Sequence, residues 1–121
     1  MLLVEDNPDT RDALQALLTA HGYRVVCAID GAEALTLARR DPRPCIIVLD
    51  LMMPRVDGYE FRRAQFADPA IRDIPVVAAS GIHDLARRAR ELGVTHYLQK
   101  PLDMDELFSM IERQCACRSR P

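Results

Sequence analysis

The stretch CIIVLDLMMP, residues 45–54, carries an apolar run into Asp50 and follows that carboxylate with three more apolar residues before Pro54. An ionised carboxylate is costly to bury unless it is paired, so its position needs a structural reason. Cys45–Leu49 has the length of a strand, and its uninterrupted apolar character fits a central strand covered on both faces. Asp50 then falls where that strand emerges at the rim of a sheet.

Working outward, four further short apolar runs have the same character: Leu2–Glu5, Tyr23–Ala28, Pro75–Ala79 and His96–Gln99. Helix signals follow each one. Asn7 is placed to cap a helix with Pro8 at its first position and Leu14, Leu17 and Leu18 on one face, ending at Gly22. Asp30 precedes a second helix carrying Ala34, Leu35 and Ala38, which Pro42 stops. A third begins near Tyr59 and ends before Pro69, and an arginine-rich fourth runs from His83 or Asp84 to Gly93. The fifth opens with Asp103 and Glu106, spaced as in a capping box, and turns Leu107, Phe108 and Ile111 inward. Five strand–helix repeats of this kind predict an α/β domain of three layers, with a parallel sheet between helices.

Composition sets the outer bounds. The 121 residues suit one domain spanning 1–121, with about 116–121 expected as a tail. Apolar residues at 49% and charged residues at 28% fit a globular chain, and a net charge of −2 gives no reason to expect nucleic acid. Neither a leader nor a membrane span is expected, since acidic residues follow Met1–Val4 at once and no apolar run approaches the ~20 residues a bilayer requires. Cys27, Cys45, Cys115 and Cys117 are spaced neither as a zinc site nor as a redox pair. They are expected to be free, the first two as small core residues and the others at a helix end, in a reducing cytoplasm.

The candidate site comes from asking what stands where the strands end. The first ends in Glu5-Asp6, the third in Asp50, the fourth in Ser80 and the fifth in Lys100. Parallel strands finish at one edge, and that edge is where open α/β sheets bind ligands. Two unit charges ~4 Å apart interact by roughly 4 kcal/mol at an effective dielectric of 20, so three clustered carboxylates should take up protons or bind a cation. Hard oxygen ligands with no cysteine or histidine beside them suit Mg²⁺, or Mn²⁺ as a substitute. Lys100 and Ser80 are then the donors for phosphoryl oxygens.

With these residues in order, the sequence resembles the receiver domain of two-component response regulators essentially end to end. The resemblance rests on Glu5-Asp6, on D-L-M-M-P-x-x-D-G from Asp50 to Gly58, on Ser80-Gly81, on Tyr97 and on Lys100-Pro101. It implies a doubly wound, flavodoxin-like (βα)₅ fold with strand order 2-1-3-4-5. It also implies that Asp50 is the phosphoacceptor, taking a phosphoryl group from the phosphohistidine of a histidine kinase or histidine phosphotransfer domain. Asp6 and Asp50 would ligate Mg²⁺, Glu5 would act mainly through water, and Met52 would offer its backbone carbonyl. Lys100 and Ser80 would bond phosphoryl oxygens, with Ser80 and Tyr97 moving together as the switch. In the family the Lys–Pro peptide is usually cis, which at Lys100-Pro101 would aim the ammonium inward. The implied output surface is the fourth helix, fifth strand and fifth helix, which could also form a homodimer.

The other charged and aromatic positions have plainer readings. His21 stands at a helix end and His96 begins a strand, and neither belongs to a metal set; His83 lies near the rim in the loop after Ser80, where a contact with the phosphorylation site stays open. Arg87, Arg88 and Arg90 read as a solvated or partner-facing surface, not as a nucleic-acid site.

Two departures from the family pattern stand out. The spacing from Ser80 to Lys100 is shorter than in many members, within the expected output face. Met52 and Ile82, each two positions beyond a site residue, are both apolar where the family tunes phosphoryl lifetime, so a long-lived phosphate is expected. Two other functions compete. A haloacid-dehalogenase-like phosphatase would need an aspartate where Met52 stands. A docking module that is never phosphorylated would be expected to lack Asp50, Lys100 or the acidic pair. The chain therefore reads as a signalling domain that catalyses only its own phosphorylation and dephosphorylation.

Overall fold

The computed structural model describes residues 1–50, 58–80, 90–91, 93, 96–99 and 102–114, the side chains of 58, 59 and 80 excepted. Its elements in chain order are β1 (Leu2–Val4), α1 (Pro8–Ala20), β2 (Val26–Ala28), α2 (Gly31–Ala38), β3 (Ile47–Asp50), α3 (Gly58–Ala67), β4 (Val76–Ser80), β5 (His96–Gln99) and a C-terminal helix (Met104–Gln114). The strands form one parallel sheet in the order β2-β1-β3-β4-β5. This is the doubly wound, flavodoxin-like order.

Side chains alternate across a strand, so each strand feeds two cores. Leu2, Val4, Ile47, Leu49, Val76 and Ala78 point to one face, where Ala34 and Ala38 of α2 and Phe61 of α3 cover them. Leu3, Val48, Val77 and Leu98 point to the other, against Leu14 and Leu18 of α1 and Leu107 and Ile111 of the C-terminal helix. The central strands are apolar up to their C-terminal residues because both faces are buried, in keeping with the 45–49 run.

Local signals fix the helix ends. Asn7 accepts a hydrogen bond from the Thr10 amide (3.0 Å), and Pro8 follows at the first helical position, where its missing N–H costs nothing. At the other end of α1, Gly22 takes φ +99°, and the amides of Gly22 and Tyr23 return to the carbonyls of Thr19 and Leu18. Asp30 caps α2 by accepting from the Glu33 amide (2.8 Å), while the Glu33 carboxylate accepts from the Ile29 amide (2.9 Å). Asp103 accepts from the amides of Asp105 and Glu106 and so starts the C-terminal helix.

Strand bounds and the state of one cysteine differ from expectation. The second strand is Val26–Ala28, not Tyr23–Ala28, because β1 offers only Leu2–Val4 for pairing; Tyr23 instead buries its ring in the second core. Strand three starts at Ile47 and includes Asp50, which pairs with Ala79. The second change concerns Cys45, which packs against the second core and is disulfide-bonded to a partner outside the described residues. The expected free thiol is thus corrected there: sequence spacing does not report which cysteines a fold brings together. Cys27 is free. Most of the expected fourth helix lies outside the described residues, although Arg90 and Glu91 are helical.

Candidate functional site

Register alone brings the carboxylates together. Val4 pairs with Leu49 across β1 and β3, and Asp50 pairs with Ala79 across β3 and β4. Glu5 and Asp6 therefore leave β1 beside Asp50, at the edge where Ser80 closes β4. One carboxylate oxygen from each of Glu5, Asp6 and Asp50 lies within 4.8 Å of the others. Glu5 and Asp50 are 3% and 7% exposed, and Asp6 is half-buried.

Each acid has a cause for its place. The Glu5 amide donates to the Ala28 carbonyl (3.1 Å), so the residue remains tied to the sheet one step beyond β1. Its carboxylate accepts from the Asn7 amide (3.3 Å), at the N-terminal end of α1, where the helix dipole favours negative charge. Burying such a cluster is unfavourable without compensating positive charge. Carboxylate oxygens at this separation are within reach of one hard divalent ion, held directly or through a bound water. The cluster has the composition and span of a divalent-cation site.

Other expected positions are only partly visible. Tyr97 is exposed on β5, where it pairs with Ala78, two residues before Ser80. Ser80 reaches the same edge as Asp50 through its backbone, with Gln99 as its register partner. Its side chain, Met52, Ile82, Lys100 and the Lys100-Pro101 bond lie outside the described residues, as do His83, Arg87, Arg88, Cys115 and Cys117. His21 caps the C-terminus of α1 and stacks on Phe108, with ring centroids 3.9 Å apart.

Sequence reasoning missed two contacts. Arg11, in the first turn of α1, reaches back so that Nη1 donates to the carbonyl oxygens of Glu5 (3.2 Å) and Asp6 (3.5 Å). The available signal was a cation in a turn where helix electrostatics favour anions. Arg62 of α3 is buried, donates to Gln65 Oε1 (2.7 Å) and to the Gly93 carbonyl (3.2 Å), and lies 4.0 Å over the Phe66 ring. Burial pushes its guanidinium below the usual arginine range. No pattern in the sequence announces that contact.

Comparison with known proteins agrees with this geometry. The family model of the response regulator receiver domain matches residues 1–112. Response regulator PleD of Caulobacter vibrioides is 40% identical over 113 residues, covering 92% of this chain and 25% of that protein. The chain thus spans about a quarter of that relative's length. A signal receiver domain of a signal transduction histidine kinase from Syntrophus aciditrophicus superposes with a TM-score of 0.84 at 31% identity, covering 93% of this chain and 86% of the other. The receiver domain of sensor histidine kinase PA1611 from Pseudomonas aeruginosa gives a TM-score of 0.83 at 33% identity, covering 93% of each chain. That domain was solved with a magnesium ion coordinated in its active-site cleft.

Proposed function

The chain belongs to the response regulator receiver domain family, and from that premise we propose that Asp50 accepts a phosphoryl group from the phosphohistidine of a partner histidine kinase or phosphotransfer domain. It is a signalling domain, not a general enzyme. The convergence of Glu5, Asp6 and Asp50 at the edge of the sheet carries the reading.

In this reaction an Asp50 carboxylate oxygen forms the new P–O bond while the P–N bond of the phosphohistidine breaks, its electron pair returning to the imidazole nitrogen. Phosphoryl transfer depends on in-line placement and charge neutralisation more than on covalent help. Asp6 and Asp50 would hold Mg²⁺ directly, Glu5 through water and Met52 through its carbonyl, and the ion would supply neutralising charge at the phosphoryl oxygens. The fixed ends of β1 and β3 hold the acceptor in place before the donor arrives. Lys100 and Ser80 complete the set as hydrogen-bond donors to the phosphoryl oxygens, and Ser80 with Tyr97 passes the change to the surface of the fourth helix, β5 and the C-terminal helix.

Apolar Met52 and Ile82 give hydrolytic water no orienting group, so the acyl phosphate is long-lived. Faster dephosphorylation in Met52→Asn and Ile82→Glu supports that assignment, and unchanged rates in both remove it. The working compartment is the cytoplasm. Among the described residues no helix is long and apolar enough to cross a membrane.

The decisive experiment incubates the chain with Mg²⁺ and a small acyl phosphate and follows intact mass. One added phosphoryl group, absent in Asp50→Asn and without Mg²⁺, is the expected result. Labelling that persists in Asp50→Asn refutes the acceptor.

A further inference from the structure

The turn between β1 and α1 has a peculiarity in its hydrogen bonding. The carbonyls of Glu5 and Asp6 lie past the end of β1 and before the first turn of the helix. Arg11 supplies a donor to both, at 3.2 Å and, near the outer limit for a hydrogen bond, 3.5 Å. Arg11 is the fourth residue of α1. Helical side chains lean toward the N-terminus, which directs its guanidinium back over the turn. None of the ion pairs among the described residues includes it.

The placement runs against local electrostatics. A cation in the first turn of a helix opposes the dipole, and a positive charge near a cation site opposes the ion. If charge were its main effect, Arg11 would weaken the site. We infer that Arg11 is instead a positioning residue: its guanidinium fixes the Glu5 and Asp6 peptide units so that both carboxylates are held toward Asp50 before any cation binds. The inference rests on the cation reading of that cluster. It assigns the cost of an ill-placed charge to a geometric gain, as with groups outside the coordination sphere that orient metal ligands.

The two effects have opposite signs, so one titration separates them. Mg²⁺ is titrated calorimetrically into the full chain, into Arg11→Met, which keeps the stem and loses both charge and donors, and into Arg11→Lys, which keeps the charge without the planar fork. Asp6→Asn serves as control. Positioning predicts that Arg11→Met weakens Mg²⁺ binding by about tenfold, the lower end of the loss typical for outer-shell partners. Arg11→Lys should fall between it and the parent. In the metal-free protein, the amide resonances of Asp6 and Asn7 should shift in Arg11→Met.

Binding in Arg11→Met as tight as in the parent, or tighter, overturns the inference. Should Arg11→Met fail to fold, Arg11→Lys decides, and parental affinity there overturns it equally. A parent chain that binds no Mg²⁺, or binds it unchanged in Asp6→Asn, refutes the cation reading itself. The two failures are therefore distinguishable.

Discussion

Glu5 and Asp50 each stand one residue beyond Val4 and Leu49, which are register partners in adjacent parallel strands. Two acids far apart in the chain become neighbours because two strands end together. Both are buried, and Asp6 brings a third carboxylate to within 4.8 Å. Like charges this close repel one another, and a bound cation would offset that repulsion, which gives the cluster a signature in stability as well as in chemistry.

Asp50→Asn should therefore stabilise the metal-free protein while abolishing phosphorylation. Removing one charge from such a cluster at low salt should contribute on the order of 1 kcal/mol, a Tm rise of about 4 °C for a domain of this size. Thermal melts in chelator, at low and high salt, check this. A Tm below that of the parent at low salt would mean that Asp50 is held by stronger favourable contacts than the cluster opposes.

Mg²⁺ should have the complementary effect. A ligand that binds only the folded state stabilises it by about 2.7 kcal/mol at one hundred times its Kd. Urea midpoints should rise with Mg²⁺ in the parent, fall back on adding chelator, and stay flat in Asp6→Asn. A rise of equal size in Asp6→Asn would place the ion elsewhere.

Gln65 is the most consequential buried polar side chain on the opposite flank. It is fully buried, donates to the carbonyls of Ile71 and Ile74 (3.0 Å each) and accepts from Arg62. Gln65→Ala removes a donor from the Ile74 and Ile71 carbonyls and an acceptor from Arg62 at once, although the Ile71 carbonyl keeps the Ile74 amide and Arg62 keeps the Gly93 carbonyl. With a buried side chain also truncated, a loss of about 2–3 kcal/mol in urea unfolding is expected. Gln65→Glu keeps the acceptor beside Arg62 but loses the donor to both carbonyls, so it should also be destabilising.

The contrast between Asn7 and Gln65 indicates what the sequence could disclose. Asn7-Pro8, Asp30 and Asp103 act through neighbours a few positions away, so their caps are local chemistry and readable from spacing. Strand order and the acidic edge were legible for a related reason: apolar runs name the strands, and parallel strands share an edge. Gln65 and Arg62 bond to loop carbonyls whose positions depend on how α3 packs. Tyr23 begins an apolar run and so reads as strand, but pairing is limited by the three residues β1 offers. Cys45 was read as a free thiol because its bonding partner is set by the fold.

Cys27 offers a chemical check on the β2 side of the site. Desolvation is the main cause that raises its thiol above the ordinary range, with Arg11 acting in the opposite direction and Asp12 and Glu33 adding to the rise. The thiolate is the reactive form. Iodoacetamide labelling should therefore be slower at pH 8 than that of a free cysteine, and its pH profile should be displaced upward. Arg11→Met should displace it further, since the lowering influence is gone. A profile at or below that of free cysteine would contradict the partial burial of this side chain.

The Arg39–Asp68 pair joins the end of α2 to the loop after α3, with Nε 2.7 Å from the carboxylate. That guanidinium, followed by the Ala70 amide at 2.9 Å, holds the Asp68 carboxyl below the usual carboxylate range. A carboxylate depressed in the folded state contributes stability above its unfolded pKa and loses it as pH falls through the folded value. Asp68→Asn should thus be less stable than the parent at neutral pH, and the difference should shrink as pH drops below the ordinary aspartate range and vanish once both forms are neutral. Because the pair is partly exposed, high salt at pH 7 should also narrow the gap. Urea midpoints for both proteins across acid pH measure it, and a difference that stays constant with pH would assign the effect to side-chain shape and not to charge.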